Sequence, residues 1–495
     1  MLNNPLIIGA IFLPLGAAAL GLLFAKNRTA QHGLALLAGI GAWLCTLGVL
    51  YYNLTDGPQV YKLGEWPLPY GIALVPDLVG AIFGVMCSTV VLGGILYSLG
   101  CRDKCVTYPM FMPLFLCMAG GLHGAMYTGD IFTLFVFIEL MVISSVVLVA
   151  ISDNELGVEA AIKYLLISAM GTLFLLVGIA ALYATFGSLN LADIARKLSS
   201  GERPLLAQAA AVMLMCAFLL KSAIFPFHFW QPDFHTTAPT PVHAVLSSVV
   251  VKVGILGLLR LTNLMFTAEA PLIRGLLLVL GLIGIFFGSL AALGTYDAKR
   301  MLAYSTFGQI GFILLGIGWG TPAALVGAIV YAFNHALIKS SLLMLTGAVS
   351  SRMPNKSAAL VDIGGAGKAQ AMTSLLYLLG GLALAGVPPL NGFISKVALV
   401  QGGIEAQSWV PLILSVGAGL ITMLYMIRTW QLMFQQPPPP DLKLKPKGDQ
   451  TLAPMLLIGL CVVLGLFSGP LVEVATRAVA QLNDYQIYIT AVLGR

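Results

Sequence analysis

The sequence predicts an all-α integral membrane protein of about 14 transmembrane helices, organised as one polytopic domain over residues 1–495. Of the 495 residues, 59% are hydrophobic and only 9% are charged, and the mean hydropathy is +0.94. A soluble domain typically carries about 25% charged residues. Because so few charges cannot cover a water-facing surface, lipid is the expected solvent. Helical spans are then expected, since lipid cannot bond a free backbone N–H or C=O.

Fourteen stretches are apolar over roughly the 20 residues that a bilayer-spanning helix needs. They run over residues 5–25, 30–52, 73–99, 107–126, 130–151, 160–186, 205–228, 240–263, 271–293, 300–319, 322–349, 371–400, 408–433 and 451–476. No Lys or Arg precedes Pro5 and no small-residue cleavage site follows, so the first stretch is interpreted as a span and not as a removed signal peptide.

The basic residues of the loops predict the orientation in the membrane. One set of alternate loops carries twelve Lys and Arg residues, whereas the other set and the C-terminal tail carry seven. The richer set is expected to face the cytoplasm, which places both termini outside the cell membrane. The longest polar stretch, Gln435–Gln450, contains four consecutive prolines and is expected to be an extended linker.

Several function classes have no support in the sequence. There is no phosphate-binding glycine loop, no dinucleotide fingerprint and no basic domain that would bind nucleic acid. Cys101 and Cys105 form a single C-x-x-x-C pair, which is a weak metal signal without further ligands. No motif for a nucleophilic triad is present. We therefore expect no cofactor, no metal and no catalytic chemistry in this chain.

Ionisable residues inside the spans are functional candidates, because each costs about 2.5–3.5 kcal/mol at the centre of a membrane helix. Glu139 lies in the span that follows Asp130. If Asp130 starts the helix, a rise of 1.5 Å per residue places Glu139 about 13 Å deep, near mid-membrane. The alternative is a carboxylate that only holds two helices together. A neutral polar group would do that at lower cost.

Lys221 precedes a break in its span. Pro226 removes a backbone hydrogen bond five residues later, and His228 follows the break. Broken helices at membrane depth normally line cavities or ion sites. His228 is either part of such a site or a histidine at the membrane interface.

Three further candidates lie deep in two spans. Lys252 follows Pro241 by eleven residues and has no nearby surface to which its ammonium could extend. His335 and Lys339 are four residues apart, so they share one helix face. Since the two would repel if both were charged, at least one is expected to be neutral at a time, which suits proton transfer. The alternative is that they are polar packing residues.

Lys396 follows Pro388 and Pro389 in a second proline-interrupted span. Two proline-interrupted spans thus each carry a Lys, one in each half of the chain. Paired broken helices of this kind indicate a transporter built from repeats. These residues together predict a path for protons through buried Lys, Glu and His side chains.

Four secondary candidates complete the set. Lys163 is expected to support Glu139 from the next span, whereas Asp77 is either a functional carboxylate or a helix-start residue. His235 and His243 flank the start of a span and either admit protons from the cytoplasmic side or are interfacial.

The segments that carry these residues resemble the antiporter-like subunits shared by respiratory complex I and the Mrp cation/proton antiporters. The resemblance covers about residues 60–430. Its strongest pieces are TGDIFTLFVFIELM, LLKSAIFPFHFWQPDFHTTAPTPVHAVLSSVVVKVG, DAKRMLAYSTFGQIGF, NHALIKSSLLMLTG and LALAGVPPLNGFISK. The segment GEWPLPYGIALVPDL is most similar to the D-type branch of the Mrp group. The alternative branch is the M-type or N-type subunit of complex I, or a hydrogenase-linked relative.

The resemblance implies a role for each candidate. Glu139 and Lys221 would form a coupled ion pair in a first half-channel, and Lys252 would lead towards the centre. His335 and Lys339 would continue the connection, and Lys396 would end it in a second half-channel. The resemblance gives no role to the segment Ser305-Thr306-Phe307-Gly308-Gln309, which departs from the family pattern.

The resemblance also implies an architecture and partners. Two inverted five-helix repeats with broken helices would occupy residues 107–263, as helices 4–8, and residues 271–433, as helices 9–13. Partners would be Mrp A, B, C, E, F and G-like subunits, or a complex I-like arm, in a hetero-oligomeric membrane complex that moves protons against sodium. Three hypotheses therefore remain: an antiporter subunit, the proton-pumping subunit of a redox enzyme, and a scaffold without transport.

Overall fold

The computed structural model describes residues 3–201, 204–368, 370–437 and 444–494, which are almost entirely helical. The helices of the first half are α1 Pro5–Leu23, α2 Arg28–Asp56, α3 Leu78–Gly100, α4 Phe111–Tyr127, α5 Ile131–Ala150, α6 Glu155–Phe186, α7 Leu191–Ser199, α8 Leu205–Lys221, α9 Gln231–Thr237, α10 Thr240–Val245 and α11 Val251–Arg260. Those of the second half are α12 Ala270–Gly294, α13 Ala298–Trp319, α14 Pro322–Ser350, α15 Leu360–Ile363, α16 Ala371–Ala385, α17 Asn391–Glu405, α18 Trp409–Trp430, α19 Leu452–Leu466, α20 Gly469–Asn483 and α21 Tyr485–Leu493.

Short irregular elements join these helices. Strands β1 Tyr61–Lys62 and β2 Ala73–Leu74 pair antiparallel between α2 and α3. A π-helical turn, Leu246–Val250, connects α10 to α11, so that 240–265 form one continuous membrane-length helix. Such widened turns inside helices occur often at functional sites, and this one ends two residues before Lys252.

The helix starts are capped by side chains. Asp77, Asp130, Asn154, Asp297 and Thr321 each accept a hydrogen bond from a backbone N–H in the first turn of the helix that follows. The first N–H groups of a helix have no partner within it, and a cap satisfies one of them. The prediction that Asp130 starts the helix of Glu139 is therefore confirmed.

The chain is a multi-pass membrane protein. Within the described residues, ten helices are long and apolar enough to cross a membrane, and α19 with α20, bent by 78°, would make an eleventh. Three predicted spans are shorter than expected or divided. The helix predicted over 205–228 stops at Lys221, the stretch 371–400 divides into α16 and α17, and the stretch 107–126 is the 17-residue α4. Most of the proline run of the predicted linker falls within 438–443, outside the described residues.

Two helices form the enclosed centre of the molecule. Every residue in the apolar windows of α14 and of the helix over 240–265 is buried by other helices. By contrast, α1, α2, α6, α12 and α18 each present a broad apolar face outward. The central helices carry Lys252, His335 and Lys339, so these three side chains are remote from lipid.

Candidate functional site

Lys221 is held by neutral partners where α8 ends. Its Nζ donates to the carbonyl oxygen of Ser168 at 3.1 Å and to the Ser168 hydroxyl at 2.5 Å. Glu139, on α5, is partly buried, and its Oε1 has no hydrogen-bond partner among the described residues. No direct ion pair between Glu139 and Lys221 is formed in this part of the chain. The expected direct contact is therefore replaced by a bond from Lys221 to α6.

The break after Lys221 packs tightly on the central helix. A Cβ at Gly254 would lie 3.0 Å from the backbone nitrogen of Ser222 and closer still to its hydroxyl. Only glycine allows this approach, because any side chain would collide with the turn. The close packing places the end of α8 beside α11, two residues from Lys252 along the helix. Ser222 Oγ is buried there without a hydrogen-bond partner among the described residues.

Lys252 and His335 form a buried contact between the two central helices. Lys252 Nζ lies 2.8 Å from His335 Nδ1, and the two residues are 0% and 1% exposed. At this distance a proton can transfer between the two nitrogens without movement of either helix. His335 Nε2 has no partner among the described residues, so the ring can bond on its far side as well.

Lys339 continues the polar contacts from α14 to α13 and α18. Its Nζ donates to the Leu302 carbonyl at 3.0 Å and to Ser305 Oγ at 2.9 Å. Ser305 Oγ in turn lies 2.8 Å from the hydroxyl of Tyr425. Gln309, one helical turn beyond Ser305, donates to the Tyr425 hydroxyl at 3.4 Å. We name as the central polar line Lys252, His335, Lys339, Ser305, Gln309 and Tyr425.

Half of the central polar line was not predicted from the sequence. Ser305 and Gln309 were given no role, and Tyr425 was not considered. The signal that could have found them is the spacing of Ser305 and Gln309, which places two polar residues on one face of an otherwise apolar span. A buried polar side chain requires a hydrogen-bond partner, so this face is expected to contact another polar group.

Lys396 lies at the second break. Its Nζ donates at 2.6 Å to the carbonyl of Ala385, the last residue of α16, and sits 5.4 Å from the centre of the Phe312 ring. The final carbonyls of a helix lack partners within it, so Lys396 caps α16. Gly386 has a φ of +84°, and a Cβ there would lie 2.6 Å from Lys396 Cδ. Glycine thus provides both the turn and the room for the lysine.

Lys396 borders a cavity of about 380 Å³ with mostly apolar walls. The adjacent residue Ser395 accepts a bond from the side-chain amide of Asn334 at 2.9 Å, and Asn391 donates to Asn334 at 3.1 Å. Asn334 is the neighbour of His335 on α14. These amides therefore connect the helix of the central polar line to that of Lys396.

Two of the predicted histidines form a buried pair. The rings of His235 and His243 lie 4.4 Å apart between centres, and both residues are 0% exposed. None of their four ring nitrogens has a hydrogen-bond partner within the described ranges. His228 is half-buried among the rings of Phe287 and Phe307, at 4.8 Å from each centre.

The remaining candidates lie away from the central polar line. Lys163 is exposed and pairs with Glu159 at 2.7 Å and with Asp233 at 3.1 Å, so the expected support of Glu139 is not what it provides. Asp77 caps α3 and pairs at 3.4 Å with Arg260, which also donates to a backbone carbonyl at 2.7 Å. This geometry matches the helix-start alternative. In the described part of the chain, no cluster of three His, Cys, Asp or Glu side chains could hold a metal ion.

Comparisons with known proteins show which family the sequence resembles. The family described as "NADH:quinone oxidoreductase/Mrp antiporter, TM" matches residues 128–422. The chain is 29% identical to the D-type subunit of the Na(+)/H(+) antiporter of Alkalihalophilus pseudofirmus, over 99% of both proteins. It is 33% identical to the N-type subunit of the NADH-quinone oxidoreductase of Desulforudis audaxviator, over 94% of this chain and 96% of that protein.

The fold is also that of a solved structure. A chain of the Mrp complex from a Dietzia species superposes with a TM-score of 0.92, covering 99% of both chains at 23% sequence identity. The matched segment of the family runs from Thr128, two residues before the cap of α5, to Thr422, close to Tyr425. It therefore contains Glu139 and each of the buried lysines described above. The chain belongs to the NADH:quinone oxidoreductase/Mrp antiporter transmembrane family.

Proposed function

We infer that this chain is the proton-translocating, antiporter-like subunit of a multi-subunit Mrp-type Na⁺/H⁺ antiporter. The observation that carries the proposal is the contact of Lys252 with His335 at the enclosed centre of the molecule. A buried ionisable pair is costly in lipid and is retained where a membrane protein moves charge. The relative named as the D-type subunit of a Na(+)/H(+) antiporter, aligned along nearly the whole chain, supports this assignment over a scaffold.

The central polar line has the chemistry that proton transfer needs. Lys252 donates a proton to His335 Nδ1 and becomes a neutral amine, while His335 becomes an imidazolium. When Lys339, one turn away on the same helix face, is a neutral amine, it takes the proton from the His335 imidazolium and becomes an ammonium, and His335 returns to its neutral form. Two like charges this close repel in a medium of low dielectric constant. A proton arriving at one end therefore favours release at the other.

The partners of Lys339 suit repeated transfer. Its ammonium is bonded to a carbonyl and a hydroxyl, which are neutral. A change in its protonation therefore breaks no ion pair, and the hydroxyl of Ser305 can donate to the amine that remains. Gln309 and Tyr425 extend this relay from α13 to α18.

Glu139 and Lys221 are assigned to coupling at the first half-channel. An ion pair at 4 Å gains about 4 kcal/mol at an effective dielectric constant near 20. Forming such a pair would remove Lys221 from Ser168, and breaking it would restore the present contact. Alternation between these two states would couple the protonation of Lys221 to movement of α5 relative to α8. Lys396 would be the corresponding terminal group of the second half-channel.

The finer architecture is part of the same proposal. The ten long helices, the bent pair and the three shorter apolar helices would together give fourteen crossings. Residues 107–263 and 271–433 would form two inverted five-helix repeats, and both termini would lie outside. Labelling of single cysteines introduced near the C-terminus and in the loop after Cys101 in intact cells tests this orientation. Reagent access to the loop but not to the terminus would contradict it.

A second candidate is favoured by one specific observation. The relative with 33% identity is named as the N-type subunit of an NADH-quinone oxidoreductase. In that alternative the chain would be the pumping subunit of a redox-driven complex, with electron transfer in other chains. Its partners would be a complex I-like arm in place of Mrp A, B, C, E, F and G-like subunits.

Vesicles that carry the complete native complex distinguish the two candidates. Proton movement is measured with an imposed sodium gradient and, separately, with an electron donor, for wild type and for Glu139→Ala and Lys221→Ala. Sodium-driven proton movement without a donor, abolished by both substitutions, is expected. Proton movement that requires oxidation of a donor would establish the redox alternative, and unchanged flux in both variants would contradict transport through these residues.

A further inference from the structure

A strongly basic cavity of about 520 Å³ lies outside the central polar line. It opens among the loops that carry most of the Lys and Arg residues, and its walls combine six cationic with only two acidic side chains. The cationic residues are Arg102, Lys104, Lys299, Lys356, Lys445 and Lys447. The proposed function does not use any of these six, so the cavity is a separate feature.

The two acidic residues are already engaged. Asp103 pairs with Lys356 at 3.0 Å. Asp449 Oδ2 accepts from the Tyr97 hydroxyl at 2.7 Å, and Asp449 Oδ1 accepts from the backbone N–H of Arg102 at 2.8 Å. Their oxygens therefore serve local contacts and leave most of the positive charge of the walls uncompensated.

In the part of the chain that the structure describes, three of the lysines lack a hydrogen-bonded partner, although Asp297, Asp103 and Asp449 attract Lys299 electrostatically. Within the described residues, the ammonium groups of Lys104, Lys299 and Lys447 form no hydrogen bond or ion pair. Like charges gathered around one concave surface create a strong local potential that attracts anions. A ligand with negative charge would relieve this repulsion.

A buried hydroxyl gives independent evidence for a ligand. Ser350, at the end of α14, is 3% exposed and lines the cavity, yet its Oγ has no hydrogen-bond partner in the described part of the chain. A buried polar atom without a partner is destabilising. An oxyanion in the cavity would accept its proton.

The cavity is held open by a strap formed by residues 444–450. The backbone N–H of Lys445 donates to the carbonyl of Arg352 at 2.8 Å, and that of Asp449 donates to Ser351 Oγ at 2.9 Å. A Cβ at Gly448 would lie 2.8 Å from the same Ser351 oxygen, so the strap packs directly on the end of α14. Lys445 is thus fixed in the cavity wall by its own backbone bond, and Lys447 lies between the two anchored residues Lys445 and Asp449.

We propose that this cavity binds a phosphate group, carried either by the headgroup of an anionic phospholipid or by a free phosphorylated anion. Phosphate offers several acceptor oxygens and up to two charges, which matches clustered Lys and Arg donors. A neighbouring cavity of about 580 Å³ shares Arg102 and continues past Arg28 to Leu36 and Leu99. Basic pockets between membrane helices are typical headgroup sites, and these leucines would contact acyl chains.

The test compares two double variants of the full chain in its native complex. Lys104→Gln with Lys447→Gln removes two unpaired charges from the cavity. Lys26→Gln with Lys368→Gln removes two charges from the same loop set but not from the cavity walls. Binding of radiolabelled inorganic phosphate and pyrophosphate is measured in detergent. Retention of phosphatidylglycerol against phosphatidylcholine is measured by native mass spectrometry.

Binding of one phosphate source should weaken about tenfold or more in the cavity variant and stay unchanged in the control variant, since each basic residue near a phosphate contributes severalfold in affinity. Loss of pyrophosphate binding alone assigns a free anion, and loss of phosphatidylglycerol retention alone assigns a headgroup. Lys104→Arg with Lys447→Arg should restore either one. Equal binding in both Gln variants, or no binding to wild type, would overturn the proposal.

Discussion

Ser305→Ala tests the least expected member of the central polar line. The hydroxyl of Ser305 is one of two hydrogen-bond acceptors for Lys339 and is the only one of the two that continues to Tyr425. A hydrogen bond to a charged group contributes about 1.5–3 kcal/mol. If that bond stabilises the charged state of Lys339 during transfer, its loss slows proton movement about 10–100-fold.

Ser247→Ala is a matched control for this prediction. Ser247 and Ser305 are both 0% exposed, and Ser247 forms a similar hydroxyl pair with Thr306 at 2.8 Å, but within the described residues it forms no hydrogen bond to a lysine. The assay is sodium-driven quenching of a pH-sensitive dye in vesicles with equal amounts of assembled complex. A slow Ser305→Ala beside a nearly normal Ser247→Ala is expected. Equal rates for the two variants would refute the relay through Ser305.

Three further predictions concern residues that the structure places outside the central polar line. Arg260→Met should reduce the amount of assembled protein on a native gel, because Asp77 loses the partner of a buried ion pair, a change that costs about 3–5 kcal/mol; normal assembly would argue against this structural role. Lys163→Gln should keep sodium-driven transport within about twofold, because solvent screens its exposed ion pairs and they contribute little; abolished transport would show that Lys163 takes part in proton transfer. Burial alone would raise the pKa of the Asp103 carboxyl, but the Lys356 ammonium and a backbone N–H hold that pKa below its ordinary value. The Asp103 carboxylate therefore stabilises the fold above the ordinary Asp pKa, and this stabilisation is lost as the pH falls through the lowered pKa. Asp103→Asn should have a lower melting temperature than wild type at neutral pH and the same melting temperature in acid. A difference in melting temperature that does not change with pH would contradict the lowered pKa.

Composition and hydropathy were sufficient to predict the membrane class and most helix positions. The predicted stretch over 322–349 differs from α14 by a single residue at its end. Pro226 and the pair Pro388 and Pro389 predicted the two breaks in the spans, but not the residues at which the helices end. Hydropathy does not register the turn after Lys221 or the division at Gly386, because apolar residues continue across both. Backbone direction there depends on Pro and on glycine at positive φ, which a hydropathy average ignores.

The buried charges were identifiable individually, but their partners were not. An ionisable residue in an apolar span is conspicuous by its cost alone. Its hydrogen bonds, however, are decided by which helices pack together. Lys221 bonds to Ser168 on α6, a residue that looks unremarkable among the many serines of the sequence. Lys163 is predicted to support Glu139, yet its side chain pairs with Glu159 on its own helix and with Asp233 on α9.

Lys252→Met tests the central claim most directly. The substitution keeps an unbranched side chain one atom shorter and removes the nitrogen that lies 2.8 Å from His335. In vesicles with the assembled complex and no electron donor, a sodium gradient should move protons in wild type and should not do so in the variant. Sodium-driven proton movement at the wild-type rate in Lys252→Met would contradict proton transfer through the central polar line.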